Sequence, residues 1–185
     1  MKLHKKTLVI LSVLLLLIGT VGGTIAYLTM ETQPVSNVFT PGSVGGDIQE
    51  EFDNNVKSNI KVANSGNTKA YFRIKLISYW YALNADSIIA KDSWFDINEW
   101  SSKADNGWFY VDGYFYYPEP VEPTQATAVL FEEDITLEKD AIGRQVLEIL
   151  ADAIQAIPDD AVEEAWSAVD VDPTSGKLVI AATSP

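Results

Sequence analysis

The chain has 185 residues, 26 acidic against 13 basic side chains, a formal charge of −13, no cysteine and a single histidine, His4. This balance repels nucleic acid and anionic lipid and favours cationic partners, which excludes a nucleic-acid function. Disulfides and thiolate chemistry are excluded outright.

The amino terminus reads first. Lys2, Lys5 and Lys6 precede the apolar run Leu8 to Ile18, and Gly19 to Tyr27 supply a small-residue exit. A basic region, a short apolar core and small residues predict a secretory signal peptide over residues 1–26, whereas a membrane span needs about 20 apolar residues. Thr24 and Ala26 place cleavage between Ala26 and Tyr27, with the next bond as the alternative. The competing reading is a retained anchor, since Val21 and Ile25 extend the apolar character. The expected location is secreted, at the cell surface or in an extracellular matrix, with membrane contact only through the uncleaved signal. An exported chain without cysteine also points to a Gram-positive source.

Cleavage would leave 159 residues, enough for one domain and one core. It would remove three lysines and His4, leaving 10 cations against 26 acids and a formal charge of −16. Without histidine or cysteine, Ser-His-Asp, Cys-His and imidazole-zinc sites cannot be built. A paired-carboxylate glycosidase needs two selected acids in a cleft, and here the acids are scattered as on a solvated surface. The expectation is a protein that is no enzyme and holds no cofactor.

Residues 27–46 carry Pro34, Pro41 and several Gly and Ser, which predicts an extended arm, with a single domain over 47–185. Period-two alternation predicts strands in VKSNIKVAN (56–64) and AYFRIKLISYWY (70–81). The turn Asn64 to Asn67 between them makes either a hairpin or a sheet-to-sheet crossing. Residues 84–107 read as a polar insertion with a helical turn near Asp96 to Trp100. Asp112-Gly113 between two aromatic runs predicts a hairpin that Pro118, Pro120 and Pro123 end, followed by a short strand in VLFEEDITL. In RQVLEILADAIQAI, Val146, Ile149, Leu150, Ala153 and Ile154 have helical spacing. DDAVEEAWSA (159–168) also reads as helix, with Asp159 as cap, and GKLVIAA as a final strand.

The chain resembles the TasA/camelysin-like family of exported proteins, whose signals are removed by a SipW-type signal peptidase, and within it the clostridial alternate-signal exported subgroup. The resemblance rests on GGTIAYLT (22–29), the spacing of Asn37, Phe39, Gly42 and Val44, VANSGNTKAYFRIKL (62–76), GYFYYPEPVEPTQATAVLF (113–131), and ADAIQA (151–156) followed by Ala165-Trp166. It implies a mainly β, jelly-roll-like antiparallel β-sandwich with a short helical insertion and a short helix near the carboxyl terminus. It also implies a strand rather than a helix over 145–156, and that is the reading adopted.

The function implied is a structural subunit of an extracellular fibre or biofilm matrix. The partners implied are the SipW-type peptidase, identical or related subunits, and other matrix components. An amino-terminal arm would complete the sheet of a neighbour, with Leu28, Met30, Val35, Val38 and Phe39 as its apolar positions and Pro34 as a break in its ladder. The alternative is a secreted adhesion or carbohydrate-binding module using Trp94, Trp100, Trp108, Tyr110, Tyr114, Tyr116 and Tyr117, rings that cross-strand packing also explains. The peptidase activity attributed to camelysin-like relatives lacks an H-E-x-x-H motif here. Asp170, Asp172 and Thr174 before Gly176 resemble half of a calcium loop, but Ala181 stands where a bidentate acid belongs, so a plain turn competes.

Overall fold

In the computed structural model, which describes residues 42–91, 93–158 and 160–182, strands dominate and all pairings are antiparallel. The signal segment, its cleavage site at Ala26 and Tyr27, and the arm positions Leu28, Met30, Val35, Val38 and Phe39 lie outside the described residues.

One sheet begins with β1 (Gly46–Asp53) and β2 (Val56–Asn64). Asn54 and Asn55, at φ 50° and 64°, make the two-residue turn whose left-handed backbone matches strand twist. The start of β2 also pairs with β7 (Ile135–Thr136). Higher up, the irregular run before β7 takes over the same edge: Leu130 N–H donates to Ile60, Thr127 to Val62, and Asn64 to Gln125.

The second sheet is built on β3 (Ala70–Ala82). On one side β8 (Gly143–Gln155) pairs with it along all 13 residues. On the other side lie β6 (Tyr114–Val121) and the two-residue β4 (Ile88–Ile89), with β5 (Phe109–Val111) beyond β6. The turn after Asn64 therefore makes a sheet-to-sheet crossing, not a hairpin. The two sheets face each other as a β-sandwich, enclosing Ile60 and Val62 from β2, Phe72 and Ile74 from β3, Phe115 and Leu147, with Leu130 and Ile135.

A third layer covers part of the outer face of the β3 sheet. Helix α1 (Ile97–Ser101) lies in the insertion, where the Asp96 carboxylate accepts from Asn98 N–H as its cap. Helix α2 (Asp160–Ala165) and the hairpin of β9 (Val169–Val171) and β10 (Leu178–Ile180) form the third layer. Val162, Trp166, Val169 and Leu178 bury Tyr71 and Tyr116 there.

Two expectations need adjusting, and the strand adopted over 145–156 is found. The aromatic hairpin does turn at Asp112-Gly113, but Pro118 and Pro120 lie inside β6 instead of ending it. They are tolerated because the β3–β6 register shifts between Ala70 and Phe72, so the ladder does not require their missing N–H groups. The adopted strand is β8, which ends at Gln155: Leu147, Ile149, Ala151 and Ala153 face the main core, while Ile154 packs on the third layer and Leu150 is exposed. The helical set is thus split between two faces. Helix α2 is shorter than 159–168, and its proposed cap Asp159 is not among the described residues.

Candidate functional site

The feature with most capacity for interaction is the edge of β8. Strand bonds alternate sides. Ala156 N–H donates inward to Lys69, whereas Gln145 N–H donates outward to Glu138. The odd-numbered residues Leu147, Ile149, Ala151 and Ala153 therefore turn their backbone groups outward, and beyond Gln145 no described residue pairs with that row.

Natural edges are blunted by charge, proline or bulges. The outer strand of the other sheet, β1, follows this rule: every residue is exposed, four are acidic, and its register breaks between Gln49 and Glu51. From Gln145 to Gln155, β8 has no lysine, no proline and an unbroken register. Its two acids are engaged, Glu148 with the Tyr79 hydroxyl at 2.7 Å and Asp152 with Arg73 at 2.9 Å.

β1 and β8 flank a groove of about 520 Å³ lined by Ile48, Glu50, Lys57 and residues 147–150. Lys57 Nζ donates to both Glu50 oxygens at 2.6 and 2.8 Å, which pairs those two charges, while Glu148 keeps its charge and accepts from the Tyr79 hydroxyl. Ile48 and Leu150 are 37% and 48% exposed beside it. An unpaired backbone row next to a groove with apolar side chains at Ile48, Leu147, Ile149 and Leu150 is suited to receiving an extended segment, with ladder bonds for affinity and alternate side chains for register.

The residues 27–46 expected as an arm enter the described region at Gly42. Ser43 and Gly45 carbonyls accept from Asn67 and Ser65 N–H groups, and Gly46 already belongs to β1. The calcium-like residues sit on the β9–β10 hairpin, where Asp172 accepts from Ser175 Oγ at 2.6 Å and Thr174 N–H at 3.0 Å. These bonds, Ser175 foremost, hold its carboxyl below the ordinary range and consume it in the turn. Among the described residues no three His, Asp or Glu side chains are grouped as metal ligands.

Most of the aromatic candidates are committed to packing. Trp108 and Tyr116 are buried, Tyr117 and Tyr110 pack against Trp108 and Phe115, and Tyr114 lies 3.9 Å from the Arg73 guanidinium. Trp94 and Trp100 are half-buried at the insertion. The β8 edge was not singled out in the sequence; the signal for it was a long run without lysine or proline, visible only once the run is known to be an outer strand. Comparison of the chain with family models, curated proteins and solved structures gives no significant match.

Proposed function

We propose that this chain is a secreted structural subunit of an extracellular fibre or biofilm matrix, with no enzymatic activity of its own, and that it polymerises by strand addition at the edge of β8. The observation that carries this reading is the unblunted row of outward backbone groups at Leu147, Ile149, Ala151 and Ala153 beside the groove at Ile48. The basic and apolar segments up to Ile18 and the Ala26–Tyr27 junction support export and removal of the signal by a SipW-type peptidase. The resemblance to TasA/camelysin-like proteins supports the same assignment.

The donated strand is the arm Leu28 to Phe39 of a neighbour, in which Val35 and Phe39 share one face of the strand and Val38 lies on the other. Addition of this kind is heterologous and does not close, so each subunit accepts one arm and offers another and a filament grows. Ordering the arm costs about 1–2 kcal/mol per residue, which ladder bonds and burial must offset, so polymerisation depends on subunit concentration. The experiment is deletion of Leu28 to Asn37 from the mature protein, followed by electron microscopy and sedimentation. The expected product is a folded domain that forms no filaments; ordinary filaments from the truncated protein would overturn arm donation.

A further inference from the structure

A second concave site lies away from the β1–β8 groove, where the insertion folds over the end of the sandwich. Trp100 stacks on Phe95 at 5.4 Å and meets Phe131 edge-on at 5.0 Å, with Lys103 Nζ 4.4 Å from its ring centre. Its faces are thus occupied. Trp94 stands at 75° to Phe95, anchored by its indole N–H to the Tyr79 carbonyl at 3.4 Å, and forms one wall of a cleft of about 400 Å³. That size falls within the range of roughly 300–1,000 Å³ typical of small-ligand clefts.

Polar groups converge on the same space. Gln145 is 8% exposed and lines the cleft. Its Oε1 accepts from Glu138 N–H at 2.7 Å, which fixes which end of the amide is oxygen. The Nε2 end therefore carries two N–H donors with no described protein acceptor. Among the described residues no fully enclosed side-chain nitrogen or oxygen lacks a partner, so this nitrogen is not fully enclosed, on a residue that lines the cleft. Glu138 and Thr136, both exposed, line the same opening.

We propose that this cleft binds a neutral saccharide unit. A pyranose has an apolar C–H face that packs on an indole and an equatorial rim of hydroxyls, each both donor and acceptor. The cleft supplies the matching set: the Trp94 ring, amide donors on Gln145, a carboxylate acceptor on Glu138 and a hydroxyl on Thr136. A purely apolar ligand would strand these polar groups. A uronate or phosphorylated sugar would meet Glu138 on a protein whose formal charge is −13 with residues 1–26 and −16 without them. The cleft shares no lining residue with the β1–β8 groove, although Gln145 lies on β8 two positions before Leu147.

The test uses the full mature protein and a panel of hexasaccharides: β-1,3- and β-1,4-glucans, an α-glucan, mannan, chitin-type and polygalacturonate. At least one neutral hexasaccharide should shift the Gln145 side-chain amide cross-peak in NMR, and the acidic one should not. Trp94→Ala and, separately, Glu138→Ala should each weaken binding about tenfold or more while circular dichroism is unchanged. Should Trp94→Ala fail to fold, the exposed Glu138→Ala decides. Silence of the Gln145 amide to every neutral probe at about 10 mM would overturn the proposal. So would a preference for the uronate, or full affinity in the folded variants.

Discussion

Asn64 shows how a polar residue specifies the sandwich at the point where the chain leaves one sheet for the other. It is 1% exposed, and its amide nitrogen donates to the carbonyls of Thr68 at 2.8 Å and Val121 at 2.9 Å while its Oδ1 accepts from Gly66 N–H. Replacing it with Ala leaves these groups without partners, so Asn64→Ala should cost about 2–4 kcal/mol in urea unfolding. A loss below about 0.5 kcal/mol would show that water replaces the amide without penalty. Gly66 is needed for a different reason: a Cβ there would overlap the Ser43 carbonyl. At the opposite end, Asp140 accepts from Lys91 Nζ and from the N–H groups of Ile142 and Gly143, which lowers its carboxyl to about 2. Because the folded value lies below the ordinary 3.8, the stabilisation from this exposed clasp is complete above the unfolded value and fades as pH falls through about 2. Carbon-13 NMR of the Asp140 carboxyl should give that midpoint, and Lys91→Ala should move it upward; an unmoved midpoint would assign the shift to the backbone donors instead.

At the scale of elements, β8 carries the proposal for assembly and also gives the cleanest test of it. Ala151 turns its N–H away from β3, so proline there removes no bond of the monomer, and an outward-facing edge position is where proline is tolerated. Ala151→Pro should change monomer stability by less than about 1 kcal/mol and abolish filaments, as read by thermal unfolding and electron microscopy. Filaments from a folded Ala151→Pro protein would place the polymer interface elsewhere. The identity of β8 as a strand was not legible from its own periodicity. Val146, Ile149, Leu150, Ala153 and Ile154 do fall at helical spacing, but a strand buried on both faces over part of its length has apolar residues on both, and that mimics an amphipathic helix. β1 was missed for the opposite reason, because all its side chains are exposed and no burial pattern marks it. By contrast, β2, the Asp112-Gly113 turn and the helical turn near Asp96 to Trp100 were each readable, since alternation, left-handed turn residues and helix-favouring sequence act within a few neighbours.

For the whole molecule, acidity opposes association. With the proposed signal removed, copies of the chain would carry a formal −16 and repel one another, and raising salt from about 0.01 M to 0.15 M shortens the screening length from roughly 30 to 8 Å. The concentration needed for filaments should therefore fall as salt is raised in this range, measured by light scattering; an increase would mean that attractive ion pairs dominate the interface. The charge balance, the absence of cysteine, the single histidine and the alternation of β2 and β3 are properties of composition and short-range order, so the sequence alone determined them. Which strands lie at the edges is different. Pairing of β3 with β8 joins residues some 70 positions apart, as Arg73 with Asp152 does, and nothing local in either segment states that β8 has a neighbour on one side only. The same holds for the cleft, where Trp94 meets Glu138 and Gln145 only because the insertion folds back over the sheet end. Sites made by long-range packing depend on burial summed over the entire fold, and that sum exists only in the tertiary structure.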